Sequence, residues 1–471
     1  MSIIKIAARN IARNVRRSTM TISAIAISAM AMLVFGAFVS EIFVQLETQN
    51  VMRSGHLAIY RAGYFKYGAG NPAAYGIPHY ENVLELVKQD PVLKPLINVA
   101  TPTVNLYGIA GNFESDASKT FMGLGVVPAD YNHMHDWDEH QIRDAREAEQ
   151  PLNETDETHG FVGVGLGRIL RLCSALKIAD CPNIPLPKDD ADPANANLPG
   201  ARDFASLKEP GQDAATSKPS TPNAAPRLDL LAATSTGAPN VVSFYVDATR
   251  AQPAKELDDA FVVMNLNMAQ QLLYGRGDKK AVGIVLQLHR TEDIEVAKQR
   301  LATLIQSKGL DLEVHDLKEL APFYAQVIGM FSAIFSFISL VMVVIVMFTV
   351  VNTMSMSVME RTQEIGTLRA IGVKRWGIAR QFVSEGMLLG LIGATLGLVL
   401  GLVLNHLVNH AGLMWQPPGN AAPTPLLVRE NGIAPFAAIV WTSLLIIPVI
   451  AAWFPARRGA RLTIVDALGH V

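Results

Sequence analysis

Charge is scarce in this chain. Only 17% of the 471 residues are Asp, Glu, Lys or Arg, half are hydrophobic, and the formal net charge is −2. A soluble chain ordinarily carries about a quarter charged residues, and near-neutrality gives no bulk electrostatic case for nucleic acid. No Gly-Lys dipeptide occurs anywhere, so the phosphate-cradling G-x-x-x-x-G-K-[ST] loop is absent and this sequence cannot bind ATP through it. No Ser-His-Asp, zinc-type or paired-carboxylate constellation stands out, which argues against an enzyme. Cysteine occurs twice, at Cys173 and Cys181.

Charge is missing altogether from four long stretches. Met20 to Val39, Leu320 to Met359, Gly386 to Leu404 and Ala434 to Phe454 contain none. Each supplies the roughly 20 residues that an α-helix needs to cross a bilayer. A charge at mid-helix would cost about 2.5–3.5 kcal/mol, so these gaps are informative. The first has a basic leader, but its uncharged run is longer than a signal-peptide core and no clear cleavage site follows, so it reads as an uncleaved anchor. Lys and Arg concentrate in short cytoplasmic loops. Here they lie at Lys5, Arg9, Arg13, Arg16 and Arg17, at Arg361, Arg369, Lys374, Arg375 and Arg380, and at Arg457, Arg458 and Arg461. The loop between the third and fourth stretches has only Arg429. The expected fold is therefore membrane α-helical, with four transmembrane helices in a 1+3 arrangement and a large extracytoplasmic α+β domain. The expected boundaries are a cytoplasmic amphipathic helix at 1–18, spans at 19–44, 323–356, 381–405 and 433–455, and an outside domain at 45–322. A cytoplasmic loop falls at 357–380, a short outside loop at 406–432, and a cytoplasmic tail at 456–471. No span carries the mid-membrane ionisable group that ion-coupled carriers need, and no inverted repeat is visible.

The N-terminal segment is amphipathic. Lys5, Arg9, Arg13 and Arg16 recur near every fourth residue, with Ile4, Ala7, Ala8, Ile11 and Val15 on another face; this fits a helix on the inner leaflet. The third span holds Gly386, Gly390, Gly393, Gly397 and Gly401, small-xxx-small spacings that allow close helix packing, within one bundle or between subunits.

The loop at 352–376 is the most specific text. The second span should end near Glu360. Ile365, Leu368 and Ile371 then recur at helical spacing, Glu364 and Arg369 lie on the polar side, Gly366 permits close approach, and Gly372 fits a helix stop. The run Glu360-Arg361-Thr-Gln-Glu364-Ile365-Gly366-Thr-Leu-Arg369-Ala370-Ile371-Gly372 resembles the E-R-x-x-E-I-G-x-x-R-A-I-G motif of the FtsX/MacB-type ABC permease family. The resemblance continues in Gln381 to Gly386, Phe454 to Arg461, Val465 to Leu468, Arg9 to Ser18 and Phe261 to Phe323. It implies that Glu360, Arg361, Glu364, Ile365, Gly366, Arg369, Ala370 and Gly372 form a coupling helix that sits in a groove of an ATP-binding subunit. With no P-loop in the sequence, it further implies two copies of a separate ATPase that uses ATP and Mg, no cofactor bound by this chain directly, and a homodimer or a heterodimer with a related permease in the bacterial inner membrane. The outside domain becomes a MacB-like periplasmic domain, with a periplasmic adaptor or carrier protein as a further partner.

Within that domain, Val83 to Val87 reads as a short helix, and Val99 to Ile109 and Thr120 to Val127 as strands. Phe161 onward resembles the family's glycine turn and helix. Asp259 to Leu273, Gly283 to Leu288 and Ile294 to Ser307 give strand, helix, strand and helix. Residues 180–240, rich in Pro, Ala, Asp, Ser and Thr, read as a loop or disordered insert. In an oxidising compartment Cys173 and Cys181 can form a disulfide, the alternatives being free thiols or a two-Cys metal site. His133, His135, Asp136 and His140 can be read as a divalent-metal cluster, with His133 and His135 alternating as on a strand, or as a polar turn; no metal site is assigned. Ser54-Gly55-His56-Leu57 resembles the start of the external domain in lipoprotein-releasing (LolC/LolE-like) permeases, implying mechanotransmission that extracts lipoprotein or lipid-linked cargo. Macrolide or peptide efflux is the alternative. An FtsX-like activator of a cell-wall hydrolase would ordinarily have a smaller external domain.

Overall fold

The computed structural model describes residues 3–68, 70–142, 151–178, 181, 225–252, 254–275, 277, 279–416 and 423–461. Most of the expected insert and the Val465 to Leu468 motif lie outside these residues. The chain divides into two compact units: Met1–Asn50, Lys318–Pro417 and Ala422–Val471 make one, and Val51–Leu317 makes the core of the other.

The helical unit contains α1 (Ile3–Arg13), α2 (Val15–Ser54), α3 (Pro322–Glu360), α4 (Thr362–Ala370), α5 (Arg375–His410) and α6 (Ala434–Ala460). Helices α2, α3, α5 and α6 are long and apolar enough to cross a membrane. Helices α2, α5 and α6 extend beyond their uncharged stretches because helix continues into flanking polar sequence, α2 reaching 40 residues, whereas α3 nearly coincides with its stretch. Ile25, Ala29, Val346, Val350, Leu389, Leu444 and Ala451 fill the centre. The glycines of α5 divide between two neighbours. A Cβ on Gly386 would lie 2.6 Å from Ala452 Cβ, and one on Gly390 3.0 Å from Pro448, both on α6. Cβ atoms on Gly393, Gly397 and Gly401 would meet Ile25, Ala26 and Leu33 on α2, the closest at 2.3 Å from the Ala26 carbonyl oxygen. The stripe therefore serves packing inside this chain.

Among the described residues, the α/β unit is built on a nine-stranded sheet: β1 (Leu57–Arg61), β2 (Ile97–Asn112), β3 (Ala117–Val126), β4 (His159–Gly163), β5 (Arg227–Ala233), β6 (Pro239–Arg250), β7 (Phe261–Asn265), β8 (Gly283–Leu288) and β9 (Leu312–Asp316). Their order is β9-β1-β8-β2-β3-β7-β4-β6-β5, and β5 also pairs with β2. The sheet thus has two parts joined by one strand. The first half of β2 pairs antiparallel with β8, from Ile97 to Thr103. Its second half pairs with β3 on one side and β5 on the other, closing a six-stranded ring. Pairs β3–β7 and β4–β6 are parallel. Closure needs Gly108, where a Cβ would lie 2.2 Å from the Leu231 carbonyl oxygen. Leu57, Ile59, Ile284 and Leu286 of the open part pack under the helices Tyr80–Gln89 and Ile294–Ser307 through Val83, Val87, Ala297 and Leu301.

Three expectations need correction. The stretch read as an insert to 240 ends earlier, because β5 and the start of β6 lie within it. Leu228, Leu230 and Ala232 are buried in strict alternation, but the surrounding small and polar residues hide the pattern. His133 and His135 do not alternate on a strand: Pro128–Met134 is a helix, and His135 hydrogen-bonds through Nδ1 to the Tyr131 carbonyl at 2.8 Å. The turn that follows is organised around buried Trp137, whose indole N–H donates to the His289 carbonyl. On α1 and the start of α2, Ala7 is buried but Ala8 and Val15 are exposed. Asn10, Ile11, Asn14, Arg17 and Ser18 share the inner side instead, so that face is more polar than the apolar spacing suggested.

Candidate functional site

The distinctive loop forms a compact polar corner of the helical unit. Helix α3 stops at Glu360 because Arg361 leaves helical geometry, with φ −107° and ψ 19°. The chain resumes as α4, with the Thr362 hydroxyl donating to the carbonyls of Val358 and Met359. Helix α4 ends in a left-handed stop. Gly372 has φ +99°, its N–H donates to the Arg369 carbonyl, and that of Val373 donates to the Leu368 carbonyl, at 3.1 and 3.0 Å. This is the two-bond C-terminal motif that favours glycine.

The motif residues separate by exposure. Arg361, Thr362, Ile365 and Gly366 are buried. Ile365 packs with Val358, Ile378, Ala379, Phe382, Ala456 and Ala460 from α3, α5 and α6. Gln363, Glu364, Thr367, Leu368, Ala370, Ile371 and Gly372 are exposed, with Ile371 at 77%. The expected apolar face of Ile365, Leu368 and Ile371 is therefore not one buried face: α4 packs through 362, 365 and 366, and Leu368 and Ile371 point away.

Charged groups fasten the α3–α4 corner to the N-terminal segment. Arg17 pairs with Glu360 through both guanidinium N–H arms, one bond being 2.9 Å. Asn14 donates to Glu360 at 3.4 Å, and Arg13 pairs with Glu364 at 3.3 Å. Beneath them, the Glu385 carboxylate of α5 accepts from Arg361 Nη1 at 2.8 Å and from Asn10 Nδ2 at 2.6 Å. Arg369 is half-buried. Glu385, Asn10, Asn14 and Arg17 were not singled out from sequence as site residues. A usable signal existed: an acid opening an otherwise apolar span requires a partner.

In the α/β unit, Cys173 and Cys181 are joined by a disulfide with Cα atoms 6.1 Å apart. His56 is fully buried; its Nδ1 accepts the Leu288 N–H at 3.0 Å and its Nε2 lies 3.2 Å from the Thr291 hydroxyl. The Gly55-His56-Leu57 sequence is thus built into the start of the sheet.

With this geometry in hand, the comparisons are specific. Residues 336–464 match the FtsX-like permease C-terminal family. The chain is 29% identical over 199 residues to a macrolide export ATP-binding/permease protein (MacB) of Rhodopirellula baltica, covering 40% of this chain and 26% of that one. It is 26% identical over 238 residues to an uncharacterised ABC transporter permease of Methanocaldococcus jannaschii, covering 48% and 54%. A pyoverdine export ATP-binding/permease protein of Pseudomonas entomophila is 28% identical over 222 residues, covering 47% and 32%. The chain thus spans between about a quarter and about half the length of these curated relatives. These matches bear out the recognition of an FtsX/MacB-type ABC transporter permease. The protein is a membrane protein that has an α/β unit as well as a helical one.

Proposed function

We propose that this chain is the permease subunit of an ABC exporter in the bacterial inner membrane. A separate ATP-binding subunit, present in two copies, hydrolyses ATP with Mg and drives a conformational change in the α/β unit, without a solute passing along a fixed channel. The 1+3 helix order, cytoplasmic termini, a periplasmic α/β unit and a permease dimer belong to the same proposal. The observation that carries it is α4: a short helix whose buried side is locked to α3, α5 and α6, and whose other side presents Glu364, Leu368 and Ile371. An exposed apolar–acidic face on a well-anchored helix suits a protein partner better than water. Arg361, Ile365 and Gly366 hold the helix, while Glu364, Ala370 and Gly372 lie on the exposed side.

The cargo has two readings. Lipoprotein or lipid-linked cargo rests on the likeness of Gly55-His56-Leu57 to lipoprotein-releasing permeases, although those residues are engaged in the sheet. Efflux of a small molecule such as a macrolide or pyoverdine is favoured by the names of the relatives, and a periplasmic adaptor would belong with it. Cross-linking cargo to the α/β unit in cells separates the two. The coupling role is tested by Glu364→Ala in full-length chain reconstituted with its ATPase. The variant should insert normally and lose most of the stimulation of ATP hydrolysis; stimulation equal to that of the unmodified chain would refute the assignment.

A further inference from the structure

Glu385 makes a connection that docking through α4 does not require. It lies near the start of α5 and is 3% exposed. One of its oxygens, Oε1, accepts from Asn10 on α1 at 2.6 Å and from Arg361 at the α3–α4 corner at 2.8 Å. Arg361 is itself 7% exposed. A single carboxylate oxygen therefore joins the N-terminal segment, 375 residues away, to the α3–α4 corner, 24 residues away. The surrounding pairs Arg13–Glu364 and Arg17–Glu360 are more open to solvent and are weakened by screening. The Glu385–Arg361 pair is shielded from that screening, and neither partner can be removed without stranding a buried charge.

Apolar packing under Ile365 holds α4 down but gives it little directional definition, since a helix can rotate or slide on an apolar surface at modest cost. Two directional hydrogen bonds to one atom remove that freedom. From this we infer that Glu385 is a positioning residue: it locks α1, the α3–α4 corner and α5 into one body, so a push on the exposed face of α4 displaces all three together. The inference rests on the coupling role proposed for α4.

The test uses the full chain in membranes and two variants. Glu385→Gln keeps the shape of the side chain and removes its charge. Arg361→Met combined with Glu385→Met removes the pair without leaving a lone buried charge, which guards against simple misfolding. Position is read by joining Arg13→Cys to Glu364→Cys with a short bifunctional thiol reagent; Cys173 and Cys181 are already bonded to each other. Both variants should lower the cross-link yield by about fivefold and, in chains that keep Arg13 and Glu364, lower the stimulation of the bound ATPase by about tenfold, within the usual range of coupling between sites. ATPase binding should persist. Glutamine keeps an acceptor oxygen, so the double variant decides: yield and stimulation equal to those of the unmodified chain in the variant that lacks both Arg361 and Glu385 would overturn the inference. If no ATPase binds the unmodified chain, the coupling proposal itself fails, and the cross-link yield still decides whether Glu385 fixes the corner.

Discussion

The carboxylate of Asp90, just after the helix Tyr80–Gln89, accepts the backbone N–H groups of Val92 and Leu93, each at 3.0 Å, and two guanidinium bonds from Arg300 at 3.1 and 2.7 Å. The Arg300 hydrogen bonds, with help from the two backbone N–H groups, hold its pKa below the usual carboxylate range. A depressed folded-state pKa contributes stability that is complete above the unfolded value, about 3.9, and is lost as pH falls through the folded one. We therefore expect Asp90→Asn to lower the thermal midpoint of the α/β unit at neutral pH, and the gap from the unmodified protein to narrow in acid. Melts across a pH series check this, and a constant gap would contradict it. Cys173→Ser opens a short loop, for which chain entropy predicts a loss of about 2–3 kcal/mol, measurable as a lower midpoint without reductant. At this scale the sequence was legible where a residue has one strong chemical preference. The Gly372 stop could be read directly. The outward turn of Leu368 and Ile371 could not, because periodicity marks a face without saying whether this chain or another covers it.

Among the elements, α5 makes the most exacting contacts. Gly397→Ala should force α2 and α5 apart, since its Cβ would lie 2.3 Å from the Ala26 carbonyl oxygen; overpacking of this kind costs about 1–3 kcal/mol. A lowered melting temperature in detergent checks it, with Gly309→Ala as a control where strain arises from φ +62° alone and no neighbour is met. The long helices were readable from their uncharged stretches, and four of the nine sheet strands, β2, β3, β7 and β8, fall close to where they were expected. Strands β5 and β6 were not, because Ala232, Ala233 and the turn at Thr234–Gly237 look like spacer sequence. Their strand character comes from pairing across the ring, through Leu231 against Ile109 and Val241, and local composition does not record such distant pairing. The buried corner at Glu385 escaped for the same reason, since Asn10, Arg361 and Glu385 are neighbours only after folding.

On the scale of the whole molecule, the proposed orientation makes a direct prediction. Single cysteines replacing exposed Ile371 and Thr236 should react with impermeant thiol reagents from opposite sides of the membrane, Ile371→Cys only after the cytoplasmic face is opened. Labelling of both from one side would exclude the orientation. Strand β2 adds a mechanical consequence. Its 16 residues carry the open sheet at one end and close the ring at the other, so it acts as a spar shared by two bays of a frame. Tension along it loads many ladder bonds in shear at once, a stiffer mode than peeling them singly. A frame with a shared spar does not yield bay by bay, and pulling the α/β unit in an optical trap should give one abrupt rupture.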